Sequence, residues 1–217
     1  MSKTIVLLSG PPNSGKGFLA EHLIKKLGGV EKEFKASLYR QSAKIFGMDL
    51  ERFKSLATHR ILKEKPHQDL SLLYGACIKL DKLRGKDHAQ RVVDVSEGVT
   101  RYRLSPRDAM IYTSELVYKL IYGPDYFGLQ AANTMEDGNN FVSDAGFAEE
   151  AEVQVMEFGK ENVLLVRIHR DDTTFEGDSR DYLDLDYLGV STLDVDNNRD
   201  ISEVVSDIAE FMANELW

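Results

Sequence analysis

The sequence predicts an α/β chain: a three-layer α/β/α fold with a parallel sheet and a mostly helical insertion. Three observations support this. Short unbroken apolar runs recur at Thr4–Ser9 and Val163–His169, as strands covered on both faces read. Amphipathic helical segments alternate with these runs, the pattern of right-handed crossovers onto one sheet. A glycine-rich turn, Gly10–Gly17, joins the first run to the first helix.

In chain order, Thr4–Ser9 is a strand ended by Gly10-Pro11-Pro12. The helix that follows carries Phe18, Leu19, Leu23 and Leu27 and stops at Gly28-Gly29. A weaker strand fits Glu31–Ala36, and helical signals run over Leu38–Phe46 and Met48–Ala57. Residues 58–103 are expected to be mostly helical, with Asp69–Leu83 as the helix. Ser105-Pro106-Arg107-Asp108 supplies a cap, a proline at the first helical position and an acid three residues after the cap. Asn140–Asp144 suits a strand, Phe147–Phe158 a helix and Val163–His169 another strand. Residues 171–200 read as a solvated, mobile acidic face, with Gly189–Val195 as the last strand. Asp200 and Glu203 open a final helix with Ile201, Val204, Val205, Ile208, Phe211, Met212 and Leu216 on one side. Residues 1–217 are expected to form one domain.

With 27 Lys and Arg against 36 Asp and Glu, the net charge is −9, which speaks against a non-specific nucleic-acid binder with a basic face. A small anionic ligand stays compatible, because a few nearby cations outweigh distant acids. No run approaches a membrane span, and a signal-peptide pattern is absent, so a cytoplasmic location is expected. The single Cys77 sits among apolar residues and reads as a buried, inert thiol. His and Cys do not recur at zinc spacing. An apolar face in residues 58–103 either packs inward or serves a homodimer.

Gly10-Pro11-Pro12-Asn13-Ser14-Gly15-Lys16-Gly17 has the make-up of a phosphate loop, a P-loop. Gly10 and Gly15 let the backbone curl with its N–H groups inward around an anion, with Asn13 and Ser14 between them. The helix starting near Gly15 adds its positive end, and Lys16 a mobile charge for the outer phosphates. A lysine at a helix start opposes the helix dipole, which makes an anionic partner its best explanation. The usual pattern continues with Ser or Thr, whose hydroxyl holds Mg²⁺. Here Gly17 and Phe18 follow instead, leaving the ion to water, the nucleotide and a carboxylate elsewhere.

The loop resembles that of adenylate kinase and its relatives, where glycine also follows the lysine. A closer resemblance extends over most of the chain. It is carried by Phe34–Leu38 leading to Ala43–Gly47, then Ser105–Asp108, Thr113–Glu115, Gly123–Phe127 and Val142–Ala151. In order and spacing these segments are similar to the deoxynucleoside monophosphate kinases of tailed bacteriophages. The resemblance implies a P-loop kinase fold with a helical acceptor-binding region at about 37–136 and a lid at about 170–188. It implies ATP and Mg²⁺ as donor and cofactor, a deoxynucleoside monophosphate as acceptor, and a host cytoplasm. It also places Arg107, Glu115 and Lys119 in the acceptor pocket. The family's Asp-x-Arg-Phe segment stands here as Asp144-Ala145-Gly146-Phe147, without its arginine.

Further residues come into view against that background. Asp144 ends a buried strand, where ligands gather in α/β folds. It serves as an acceptor-site or Mg²⁺-binding residue, or caps the helix Phe147–Phe158. Arg170 and Arg180 bracket the expected lid, where arginines neutralise a transferring phosphoryl group. Surface ion pairs would account for them as well, and for Arg107 paired to Asp108 or Glu115. Lys35 and Arg40 follow the second strand, in position to line an acceptor groove. Arg167 reads as structural, and His169 as a polar strand end.

Overall fold

The computed structural model describes residues 2–178 and 180–216, with the side chain of Leu216 outside the described residues. The strands are β1 (Lys3–Ser9), β2 (Val30–Lys32), β3 (His67–Leu73), β4 (Val93–Ser96), β5 (Val99–Leu104), β6 (Gly138–Ala145), β7 (Val163–His169) and β8 (Ser191–Asp196). The α-helices are α1 (Lys16–Leu27), α2 (Lys35–Ile45), α3 (Leu50–Thr58), α4 (Tyr74–Arg84), α5 (Pro106–Thr113), α6 (Lys119–Tyr122), α7 (Tyr126–Ala132), α8 (Ala148–Phe158) and α9 (Ile201–Leu216). They fall into two compact units, Met1–Lys35 with Asp125–Trp217, and Ala36–Pro124.

The first unit is the predicted three-layer α/β/α arrangement. Its sheet has the order β2-β6-β1-β7-β8, and each pairing is parallel. Ile5–Leu8 of the central β1 are fully buried, because helices cover both faces. Val6 and Leu8 pack with Leu19 and Leu23 of α1 and with Val204 and Ile208 of α9. Ile5 and Leu7 face the other way, against Ala131 of α7 and Ala151 of α8. Each large apolar side chain so buried contributes about 1.5–3 kcal/mol. Because the strands are parallel, the segments after β1, β6, β7 and β8 all leave the sheet at one edge, where the site is built.

Two expectations in this unit change. The strand expected over Glu31–Ala36 is only Val30–Lys32, and helix begins at Lys35 rather than Leu38. The Asp144 carboxylate accepts the N–H of Phe34 at 2.8 Å and of Lys35 at 3.1 Å, so a distant acid supplies the start signal. Nor is 171–200 a uniformly solvated, mobile face. Leu183 and Leu185 are buried in the core while Asp184 and Asp186 between and after them stay exposed. The Leu183 N–H donates to Ser9 Oγ (3.1 Å) and the Tyr182 hydroxyl to the Ile168 carbonyl (3.0 Å).

The second unit joins helices to a small antiparallel sheet of order β3-β5-β4. The helix expected over Asp69–Leu83 therefore begins only at Tyr74. Before it, Leu70 and Leu72 turn into the core at alternate positions while Asp69 and Leu73 face solvent, a period of two. Strands β4 and β5 form a hairpin across Glu97 and Gly98, both at positive φ (50° and 75°). Helix α5 is capped as read: Ser105 Oγ accepts the Asp108 N–H (3.1 Å), and Pro106 is first in the helix. It continues through a π-helical turn, Ser114–Tyr118, into α6.

Behind α5, the buried Asp81 and Asp108 share the Arg91 guanidinium. Lys86 (2.9 Å) and Arg84 (3.7 Å) also reach Asp108, and His88 Nδ1 lies 2.8 Å from Asp81. Among the described residues no helix is long and apolar enough to cross a membrane.

Candidate phosphate-binding site

The loop between β1 and α1 is shaped by steric demands at two glycines. A Cβ on Gly10 would stand 2.8 Å from the Ile168 carbonyl oxygen of β7, so only glycine lets the loop leave the sheet this close to its neighbour. Gly15 has φ 94° in the left-handed region, and a Cβ there would meet Asn197 Nδ2 at 2.6 Å. Asn13 is also left-handed, at φ 67°. The resulting curl ends in α1, whose first turn carries no acid and no side-chain cap. The N–H groups of Lys16, Gly17 and Phe18 precede the first helical bond, from Leu19 N–H to the Gly15 carbonyl (2.9 Å), and so have no acceptor within the helix, the arrangement suited to holding an anion.

Lys16 folds back over the loop. Its ammonium donates to the carbonyls of Gly10 (2.6 Å) and Pro11 (2.7 Å) and approaches Ser14 Oγ at 3.4 Å. No carboxylate is within ion-pair distance among the described residues. Burial, then the charges of Arg180 and Lys35, bring its pKa down to about 8, against the pull of Asp144 and Asp178. An ammonium held on neutral oxygens among other cations gains greatly from a polyphosphate.

Asp144, at the end of β6, is buried and does not cap α8, whose cap position is Phe147 with no side-chain bond. Its oxygens accept from Phe34 and Lys35, and Lys35 Nζ stands 3.8 Å away, itself 3.3 Å from Glu33. Burial raises the Asp144 pKa, and Lys35 only partly opposes this. From the other side, Arg170 Nη1 would come within 3.5 Å of a Cβ on Gly15. Arg180 is bound in a fork by Asp178, with Nε at 2.9 Å and Nη2 at 2.7 Å from its two oxygens. Arg167 (3.2 Å) and His169 (2.6 Å) both pair with Asp194, as structural groups at the strand end do. The structure thus gathers Lys16, Lys35, Asp144, Arg170 and Arg180 at one edge of the first unit.

Arg40, Arg107, Glu115 and Lys119 belong instead to the second unit. Arg40 is exposed on α2. Arg107 pairs with Glu64 at 2.9 Å, not with Asp108 or Glu115, because Asp108 is taken by Lys86 and Arg91. Glu115 accepts from Ser114 Oγ and pairs with Lys119, both at 2.8 Å. Phe18 leaves its ring exposed, 4.2 Å from the His22 ring.

Sequence reasoning missed Asn197. Its Nδ2 donates to the Ser14 carbonyl at 2.7 Å and so clamps the loop from the end of β8. Its place just past the carboxyl end of a strand was the available signal. Asp178 was missed too, as the group holding Arg180. The structure also brings together Cys77, Asp81 and His88, within 4.8 Å of one another, although their sequence spacing is not that of a metal site. Arg91 already occupies Asp81, and burial pushes the Cys77 thiol up to about 12, so this is a hydrogen-bonded hub around a carboxylate. Cys77 is buried and free, in line with an inert thiol.

No family model and no curated protein matches the chain. Among solved structures, the chain is similar to an unliganded sugar kinase from a Janibacter species, with a TM-score of 0.41 and 11% identity, covering 98% of this chain and 95% of that one.

Proposed function

We propose that the chain is a nucleotide kinase that transfers the γ-phosphoryl group of ATP to a deoxynucleoside monophosphate. The observation that carries the first half of this reading is Lys16, a depressed-pKa ammonium resting on the Gly10 and Pro11 carbonyls above the open N–H groups of α1. A triphosphate would replace those carbonyls as its partner. Asn13–Phe18 would cradle the phosphates, and Arg170 and Arg180 would neutralise the group in flight. An acceptor phosphate oxygen attacks the γ-phosphorus in line while the bond to the bridging oxygen breaks, leaving ADP. The attacking oxygen is already anionic, so no side-chain base is required, and positioning and charge do the chemistry.

The acceptor half is carried by the resemblance of the capped Ser105–Asp108 helix and its Arg107, Glu115 and Lys119, with Arg40 and Lys35 as further acceptor residues. Among the described residues, the phosphate loop lacks its usual Mg²⁺ donor. Gly17 lacks a hydroxyl, and each Asp144 oxygen already accepts a backbone N–H. The ion would therefore arrive with the nucleotide, as part of a metal–nucleotide substrate.

The test is formation of ADP and a diphosphate from ATP, Mg²⁺ and each deoxynucleoside monophosphate, with Lys16→Met as control. Product with one or more acceptors, lost in the variant, supports the reading. A second reading, a nucleotide-binding module without transfer, is favoured by Phe18 after the phosphate loop and by Gly146, which stands where the family has arginine. It predicts ATP binding that depends on Lys16 with no diphosphate from any acceptor, including other phosphorylated metabolites.

A further inference from the structure

Gly146 follows β6 directly, two residues after Asp144, and its backbone does not take the left-handed conformation that demands glycine. Crowding explains it instead. A Cβ at Gly146 would lie 2.6 Å from Arg180 Cδ, 3.3 Å from its Cγ and 3.6 Å from its Nε, and these are the three nearest atoms. The obstacle is the middle of the Arg180 stem, which cannot step aside as a loose tip would. That stem is fixed at both ends. Asp178 holds the guanidinium in a fork, and Leu183, three residues on, is tied to Ser9, immediately before the phosphate loop.

We infer that Gly146 is the seat of Arg180: the absent side chain lets the arginine stem cross the end of β6 and present its guanidinium to a polyphosphate on the loop. Gly146 is thus a positioning residue, acting through Arg180. This rests on the phosphate-loop reading above. The cations and anions that act on Lys16 from the packed elements are Arg180, Lys35, Asp144 and Asp178, with Arg180 the strongest of them. Displacing Arg180 therefore changes the titration of Lys16 as well as the binding of the anion.

The experiment is a cycle of Gly146→Ala, Arg180→Ala and the double variant, titrated with inorganic tripolyphosphate by calorimetry across pH. Each single variant should bind about tenfold more weakly, the loss of one charge-assisted contact. The double variant should be no weaker than either, because both changes remove the same guanidinium. Both single variants should move the alkaline limb of binding to higher pH. Gly146→Ala should lower the thermal midpoint, and Arg180→Ala in the same chain should recover it by vacating the space. That recovery keeps the test decisive even where Gly146→Ala alone folds poorly. Additive losses, an unshifted alkaline limb or an unrecovered midpoint would each overturn the seat. Wild-type binding with unaffected Gly146→Ala overturns this inference alone. Absence of wild-type binding overturns the phosphate-loop reading and this inference with it.

Discussion

The two units treat buried charge in opposite ways. In the second, Asp108 is buried, yet Lys86 and Arg91 outweigh that burial and hold its carboxyl below the ordinary range. In the first, burial raises the Asp144 pKa and lowers that of Lys16, and their neighbours do not restore either. A network whose charges are matched within the protein is structural. One whose ammonium rests on carbonyls and whose arginine is tethered to Asp178 fits the anionic partner proposed above. The half-buried pairs Arg107–Glu64 and Lys119–Glu115 fall between, each partly open to water and so adding little stability.

The largest effect separating the two should come from Arg91→Met. It strips both Asp81 and Asp108 of a buried partner and should cost about 3–5 kcal/mol in denaturant unfolding. Lys16→Met removes an equally buried-looking cation with the opposite result. Its unfolding midpoint should hold or rise, since no carboxylate loses a partner, while ATP affinity by calorimetry falls about a hundredfold. A destabilised Lys16→Met, or a stable Arg91→Met, would erase the distinction.

Titration sharpens it further. The folded pKa of Lys16 is about 8, below its ordinary 10.5, so between those values the unfolded chain binds the extra proton. The Lys16 contribution to stability therefore rises with pH across that window. Binding runs the other way: tripolyphosphate affinity should fall above about pH 8, roughly tenfold per unit at most, as the ammonium is lost. The difference in thermal midpoint between wild type and Lys16→Met, followed from pH 7 to 10.5, isolates this residue. For Asp108 the sign is that of a depressed carboxylate: its stabilisation is present above the unfolded pKa and is lost in acid as pH falls through the folded value.

What could be read in advance follows the same division. Local signals placed β1, β7, α5 and the phosphate loop, because an apolar run, a Ser-Pro cap and paired glycines act over a few residues. The start of α2 was illegible because its signal, Asp144, lies 110 residues from Phe34. The β4–β5 hairpin turns on Glu97-Gly98, where an Asn-Gly or Asp-Gly pair would have announced it. In the site, Lys16 was evident from its own position, whereas Asn197 and the packing of Arg180 over Gly146 depend on loops from different strands meeting at one sheet edge.

Gly17 gives the smallest and most specific test. It lies in the first turn of α1 without a positive φ, and a Cβ there would meet only Glu31 Oε1 at 3.9 Å, an ordinary contact. Gly17→Ser should therefore fold unchanged, and by removing a glycine from a helix should gain up to about 0.5 kcal/mol in unfolding free energy. The new hydroxyl would stand next to Lys16, on the turn whose N–H groups are proposed to hold the phosphates. ATP binding should then depend more strongly on Mg²⁺, by a few-fold, than it does in the wild type, when titrated with and without the ion. An unchanged Mg²⁺ dependence in a stable Gly17→Ser chain would mean that the turn does not lie beside the metal-bearing phosphates. An anion on the loop would then have to sit away from Gly17.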